Sequence, residues 1–269
     1  VGLESYYYNG FGGLLAYDRT AQTYKELRLV GSPFTFYNAG VETMRIHTNS
    51  NVGIGTSTPS AKLDVVGNIN ISTPGGTPGF GVLKVGGTPF LHNYRNNTFI
   101  GPSAGNFFTS GDFNTAVGQS ALSFNETGTA NSALGLSALR LNTTGVHNTA
   151  IGKSALETNS TGNRNTAIGS VALYRNTTGS NNAALGVGAL EVNTDGHDNA
   201  ALGYVALFSN TTGINNSALG GHALASNLTG NENTAVGESA LDQLTTGSFN
   251  TAVGKNAGRS IAVSGSTVI

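Results

Sequence analysis

The chain has 269 residues, a formal net charge of −1 at pH 7 and only 10% charged residues. Because it has no cysteine, disulfide bonds and thiolate zinc sites are excluded. The near-zero charge gives no general attraction to nucleic acid or acidic membranes, and no apolar run approaches the about 18 residues that span a bilayer. No signal peptide is visible, so we expect a mature form, a fragment, or the product of a route that needs none.

Residues 1–72 are predicted to form a small β-rich N-terminal domain. Its candidate strands are short, rich in β-branched and aromatic residues, and separated by turn clusters such as Asn9-Gly10. No long helical periodicity appears, so little helix is expected. The candidate strands are Leu14–Tyr17, Tyr24–Leu29, Phe34–Tyr37, Thr43–Thr48 and Leu63–Val66.

Residues 73–96 are predicted to be a Gly/Pro-rich junction that resists regular structure. Pro74, Pro78 and Pro89 lie there among six glycines. After Pro102 the chain contains no proline, which suits a region where most backbone N–H groups donate in a hydrogen-bonded ladder.

Residues 97–269 contain a repeat of Asn-small-Ala-aliphatic-Gly at an unbroken spacing of 17 residues. A degenerate first copy begins at Asn97, where Phe99 replaces the alanine. Seventeen residues are too few for a helical hairpin repeat or a propeller blade, but suit one coil of a stack. The regular copies begin at Asn114, Asn131, Asn148, Asn165, Asn182, Asn199, Asn216, Asn233 and Asn250.

The conserved columns of this repeat predict a parallel β-solenoid of about ten coils with a C-terminal cap. Counting each copy from its asparagine as position 0, position 4 is always glycine and position 7 always alanine. Position 3 is always aliphatic, and position 8 is leucine from Leu122 to Leu241 but glycine at the ends, Gly105 and Gly258. We expect stacking to turn the columns at positions 3 and 8 into a continuous core.

The charged residues of the array predict that both faces of the strand at positions 0–4 are covered. In residues 97–257, no charge falls at positions 0–4, 6–8, 11 or 14. A half-solvated strand would carry polar residues at alternate positions, and burial of an unpaired charge is prohibitive. We therefore expect one face to lie on the coil's own core and the other on a neighbouring chain, which predicts a homo-oligomer.

Two segments resemble known fibrous proteins. The unit Asn148-Thr-Ala-Ile-Gly-Lys-Ser-Ala-Leu156, followed by Asn-x-Thr-Gly, resembles the head repeats of trimeric autotransporter adhesins. The segment Val41–Gly67 is similar to one common in phage tail fibres and bacterial surface-fibre proteins. These resemblances imply a left-handed parallel β-roll, an intertwined homotrimer, and an extracellular, cell-surface or virion location.

Exposed aromatic residues that break the repeat are the candidate ligand-binding residues. Tyr174 and Phe208 share position 9, two coils apart, and Tyr204 occupies position 5. Aromatic faces suit contacts with sugars or proteins; packing between chains, or scattered surface residues, is the competing interpretation. The five histidines show no metal-ligand spacing and no catalytic arrangement is evident, so we expect no metal, no cofactor and no enzymatic activity.

The leading functional hypothesis is a structural and adhesive fibre protein, the head or shaft segment of a phage tail fibre or bacterial surface adhesin. It would bind host or surface glycans or proteins. One alternative is a self-polymerising extracellular filament subunit, in which the N-terminal β-region docks onto the next array. A third is a polysaccharide depolymerase on a β-helical scaffold, a possibility that the few acidic residues of residues 1–96 disfavour.

Overall fold

The computed structural model describes residues 2–8, 11–18, 23–24, 33–67, 69, 82–85, 88–92 and 95–269 of the chain. All regular elements in these ranges are β-strands, and none of the described residues is helical. The chain divides into two compact units, Val1–Asn70 and Ile71–Ile269. The predicted all-β class is confirmed.

The first unit contains two small sheets. Three strands form an antiparallel sheet: β1 (Gly2–Tyr8), β2 (Phe11–Asp18) and β3 (Thr23–Tyr24). Four strands form the second sheet, in which only the last pair is parallel: β4 (Phe34–Asn38), β5 (Val41–Ile46), β6 (Val52–Ile54) and β7 (Leu63–Val65).

The sequence located most of these strands and missed two. The candidates that overlap β2, β4, β5 and β7 are confirmed, whereas β1 and β6 were not predicted. The candidate Tyr24–Leu29 begins in β3, and its remainder lies outside the described residues. The glycine-rich β6, Val52-Gly53-Ile54, lacks the β-branched run on which the prediction relied.

The first described element of the second unit is a hairpin, where irregular structure was expected. Strands β8 (Val82–Val85) and β9 (Thr88–His92) pair antiparallel, and β9 pairs with the first strand of the array. The expectation for residues 73–96 is therefore wrong over these strands. The physical reason is edge protection: the hairpin covers the row of backbone groups that the first coil would otherwise expose.

The rest of the second unit is the predicted parallel β-solenoid. Each coil from Asn97 to Asn250 contributes one three-residue strand, and each residue of these strands pairs with the residue 17 positions later, as Ala150 does with Ala167. The last pairing, of Thr251 with Thr267 in the final two-residue strand, is 16 positions long. At about 4.8 Å per coil, ten coils extend roughly 48 Å. The strands are β10 (Thr98–Ile100), β11 (Thr115–Val117), β12 (Ser132–Leu134), β13 (Thr149–Ile151), β14 (Thr166–Ile168), β15 (Ala183–Leu185), β16 (Ala200–Leu202), β17 (Ser217–Leu219), β18 (Thr234–Val236), β19 (Thr251–Val253) and β20 (Thr267–Val268).

The core of the solenoid consists of two alanine columns and one leucine column. In the coil that begins at Asn165, Ala167, Ala172 and Leu173 are fully buried. The aliphatic residue at position 3 is not part of this core: Ile168 is 38% exposed, and Leu134 is 50% exposed. The expectation that position 3 lines the core is therefore wrong, because the three-residue strand directs only its middle residue, position 2, inward.

Several residues of each coil have positive φ angles, in the left-handed region of backbone conformation. Leucines at position 8 have φ values between +50° and +55°, a region that L-residues enter at some cost. The glycines at position 4 have φ between +122° and +143°, which side-chain-bearing residues rarely adopt. The leucines tolerate their strain because the turn directs each side chain into the core, where burial contributes about 1.5–3 kcal/mol.

Two ladders of buried asparagine side chains run along the axis. At position 0, the backbone N–H of Asn165 donates to Asn148 Oδ1 at 2.9 Å, and Asn165 Nδ2 donates to the carbonyl of Gly179 at 2.8 Å. At position 11, Asn176 Nδ2 donates to Asn159 Oδ1 at 2.8 Å and to the same Gly179 carbonyl at 2.9 Å. The asparagine columns therefore satisfy polar groups inside each coil and between neighbouring coils.

At both ends of the array, position 8 is glycine, and another side chain fills the space that leucine occupies in the other coils. In the first coil Phe99 is fully buried, and its ring fills the space beside Gly105 that leucine fills in later coils. In the last coil, a Cβ on Gly258 would lie 3.0 Å from Cδ1 of Ile261, which packs against the core. These contacts support the interpretation of the terminal glycines as end adaptations.

A glycine-to-alanine pair tests the coil geometry. A Cβ on Gly169 would lie 2.6 Å from the carbonyl carbon of Gly186, and φ at Gly169 is +139°. We expect Gly169→Ala to lower the free energy of unfolding by at least about 3 kcal/mol. Gly221→Ala is the control, because its Cβ would meet no atom closer than 3.9 Å, and its effect should stay within about 0.5 kcal/mol. Equal effects in urea unfolding followed by circular dichroism would contradict this geometry.

The asparagine ladder gives a second prediction. Asn165→Ala removes the Oδ1 atom that accepts the N–H of Asn182 at 2.9 Å, so this buried donor loses its partner. We expect a loss of about 2–4 kcal/mol in the free energy of unfolding, because each orphaned buried polar group costs about 1–3 kcal/mol. The exposed Thr161→Ala serves as the comparison in the same denaturation experiment, and a similarly small effect of both changes would disprove the ladder's contribution.

Candidate functional site

The most extensive candidate site is an apolar surface on the strands, here called the strand face. It comprises the outward side chains at positions 1 and 3 of strands β11–β19, from Thr115 and Val117 to Thr251 and Val253. Position 1 carries threonine, serine or alanine and position 3 valine, isoleucine or leucine, so this face contains no charged residue. The sequence pattern anticipated the absence of charge here, but not the exposure of position 3.

Within the strand face, the central coils form a shallow groove of about 270 Å³. It opens because position 1 is alanine in two successive coils, Ala183 and Ala200, where most coils carry threonine or serine. Leu185, Leu202 and Leu219 form its other side. A groove with this lining suits another apolar surface.

The second sheet of the first unit also lacks a covered apolar side. Among residues 33–67, the buried positions are Asn51, Gly53 and Pro59. The apolar side chains of the strands are half-buried or exposed; Tyr37 is 63% and Leu63 57% exposed. A sheet of this size normally needs a buried apolar face for stability. This sheet therefore presents apolar surface in addition to the strand face.

One surface ion pair ties this small sheet together. The Arg45 guanidinium donates from Nε and Nη2 to the two carboxylate oxygens of Glu42, each at 2.6 Å, and from Nη1 to the Ser57 carbonyl at 2.8 Å. The hydrogen bonds from Arg45 lower the pKa of the Glu42 carboxyl. The pair orients β5 against the following loop but forms no site of its own.

The predicted ligand-binding aromatics occupy two columns of the solenoid, position 9 and position 5. Tyr174 and Phe208 occupy the same column, position 9, where both are half-buried. Tyr204 is 59% exposed at position 5, and its ring meets His222 edge-on at a centroid distance of 5.4 Å. His222 also lines a groove together with Phe208, so Tyr204 lies near the position 9 column in this region.

A second groove, of about 310 Å³, surrounds Phe208. Val205 and His222 line one side of it, and Ser209 and Ser226 the other. The floor is Ala225, which occupies position 9. In most other coils this position carries a bulky or charged side chain. This groove was not predicted from the sequence, although Ala225, the one alanine at position 9, was its visible signal.

Charged groups near His222 are paired on the surface. Lys255 Nζ lies 2.8 Å from Glu238 Oε2, and this hydrogen bond lowers the pKa of the Glu238 carboxyl, with a small further contribution from the charge of His222. In the coil that begins at Asn182, a hydrogen bond from His197 lowers the pKa of the Asp198 carboxyl. These exposed pairs are ordinary surface electrostatics and do not resemble a catalytic dyad.

Within the part of the chain that the structure describes, no group of three histidine, aspartate or glutamate side chains could hold a metal ion. None of the described residues belongs to a helix long and apolar enough to cross a membrane.

Comparison with known proteins adds no assignment. The chain matches no protein-family model, no curated protein and no solved structure. The functional argument therefore depends on the surfaces described above.

Proposed function

We propose that this protein is a structural and adhesive fibre segment, in which copies of the chain pack their strand faces together. The observation that carries this proposal is the strand face, an uncharged and largely aliphatic surface that runs along the solenoid axis. With nine coils at about 4.8 Å and a width of about 10 Å, it covers roughly 400 Å², which is within the about 300–600 Å² of the largest apolar patch on a typical monomer, a patch that is often functional.

The periodicity of the strand face favours a second copy of the chain as its partner. Every coil presents the same two side-chain classes at the same axial spacing, whereas the other surfaces vary from coil to coil. Only a partner with the same axial repeat can make an equivalent contact at each coil. The alanines and small residues at position 1 allow close approach of such a partner.

The coreless sheet of the first unit supports the same proposal from an independent part of the chain. Its exposed residues, including Tyr37, Val41 and Leu63, would gain burial in an assembly of several chains. Three copies is the number implied by the resemblance of the repeats to trimeric adhesin heads. The proposed location is extracellular, on a cell surface or virion, and the proposed role is that of a head or shaft segment.

A self-polymerising filament is the second candidate function. The thirteen-stranded sheet ends at β20 on one side, and an edge strand offers unpaired backbone groups to another chain. A filament subunit would add copies end to end rather than side by side. The two functions therefore differ in the size distribution of the assembly.

The proposal is tested by placing charge on the strand face. Ile151→Glu combined with Leu202→Glu puts two carboxylates, three coils apart, on side chains that are 38% and 46% exposed. Burial of unpaired charge is prohibitive, so we expect the wild type to sediment at three times the chain mass of 27.4 kDa and the double variant as a monomer.

The matched control is Val146→Glu combined with Ile214→Glu. Both residues are half-buried at position 15, which carries Asp112 in an earlier coil and so tolerates charge. The control should assemble like the wild type, with an unchanged circular dichroism spectrum in all variants. A monomeric wild type, or an assembly insensitive to the strand-face charges, would refute the proposal; an open size series would favour the filament.

A further inference from the structure

From the groove at Phe208 and the column that contains it, we infer a binding site for an extended, uncharged, β-linked oligosaccharide that lies along the solenoid axis. The inference rests on the adhesive part of the proposed function, because it names the class of ligand, but not on self-association through the strand face. The site consists of the position 9 residues Tyr174, Glu191, Phe208, Ala225 and Asp242, here called the position 9 column, together with the walls of the groove.

The first argument is the order of side chains in the position 9 column. Along successive coils it alternates aromatic and acidic residues, Tyr174, Glu191 and Phe208, and then opens at Ala225 before Asp242. Aromatic faces contact the C–H faces of sugar rings, and carboxylates accept hydrogen bonds from sugar hydroxyls. Both kinds of contact that a pyranose chain needs are therefore available in one straight line.

The second argument is the local packing at Gly188. A Cβ at Gly188 would lie 3.3 Å from Oε2 of Glu191 and 3.7 Å from Cδ2 of Phe208. Because Gly188 has no side chain, the Glu191 carboxylate and the Phe208 ring can both lie beside its backbone. Val205 supports this region from the next coil, with Cγ1 3.1 Å from the same Cβ position. The Phe208 ring and the Glu191 carboxylate therefore lie close together.

The third argument is the gap at Ala225. Because the coils rise by about 4.8 Å each, the small side chain of Ala225 leaves room for one flat ring between Phe208 and Asp242, the position 9 residues on either side. The groove of about 310 Å³ lies at the lower end of ligand-pocket volumes. The hydroxyls of Ser209 and Ser226 line its rim, and their backbone N–H groups bond to the following coil, which fixes the rim.

The spacing of the aromatics selects an extended ligand. Tyr174 and Phe208 are two coils apart, about 10 Å along the axis, which is comparable to the length of two linked pyranose rings in an extended chain. A coiled α-linked chain would not follow a straight column. The carboxylate of Glu191 favours an uncharged sugar, since an acidic sugar would be repelled, whereas the charge of Asp242 is compensated by Arg259, whose Nε lies 3.2 Å from Asp242 Oδ2.

The experiment is calorimetric titration of the full chain with three β-1,4-linked hexasaccharides, cellohexaose, mannohexaose and chitohexaose. The α-linked maltohexaose serves as the comparison ligand. We expect at least one β-linked probe to bind, and maltohexaose to bind more weakly. No binding of any β-linked probe, or equal binding of maltohexaose, would overturn the inference.

Two variants locate the site. Phe208→Ala removes the aromatic wall, and Ala225→Phe fills the gap with a residue that the same position accepts one coil earlier. Each should weaken binding at least about tenfold, as expected for loss of a central aromatic contact. The control is Phe108→Ala, which removes an aromatic ring that is 92% exposed elsewhere and should leave binding unchanged.

The outcomes separate this inference from the proposed function. Unchanged binding in both groove variants, or an equal loss in the Phe108 variant, would overturn the site. Sedimentation of the same variants should show the wild-type assembly, because the position 9 column lies outside the strand face. Loss of sugar binding with intact assembly supports the site, whereas a monomeric wild type that still binds refutes only the fibre proposal.

Discussion

The structure depends on axial hydrogen bonding between superposed coils. Each coil directs backbone groups and buried asparagine side chains toward its neighbours, and the asparagine Nδ2 groups bond in addition to the position 14 carbonyl of their own coil. Because an unsatisfied buried polar group costs about 1–3 kcal/mol, an insertion or deletion of a single residue would break several bonds at once. This constraint explains why the 17-residue spacing never varies from Asn97 to Asn250.

The same constraint produces a core of unusual composition. Alanine and leucine provide the buried apolar surface, and the asparagine side chains and glycine carbonyls form hydrogen bonds within it. The carbonyl of the glycine at position 14 accepts hydrogen bonds from both asparagine side chains of its coil. The ladder at position 11 ends where Leu244 replaces asparagine, which leaves Asn227 Oδ1 without a partner among the described residues. The last coils instead rely on apolar packing by Leu244 and Ile261.

Because the core residues are nearly the same in every coil, the residues available for function are those at the outward positions. Positions 1 and 3 are uniform and uncharged along the array, which favours a partner with the same repeat. Position 9 varies from coil to coil and gives a local site around Phe208 and Ala225. The two surfaces therefore fit two proposed tasks, assembly through a uniform face and recognition through a variable one, on one rigid scaffold.

The sequence by itself determined the solenoid: the period fixed the number of coils, and the charge-free positions marked the columns at positions 2, 7, 8, 11 and 14 that are buried. It also located Tyr174 and Phe208 in one column. It did not determine which strand residues face outward, because positions 2 and 3 are both apolar and a three-residue strand is too short for its alternation to be visible. Nor could it reveal the hairpin β8–β9, whose stability comes from covering the first coil, or the groove at Ala225, which exists only once neighbouring coils are superposed.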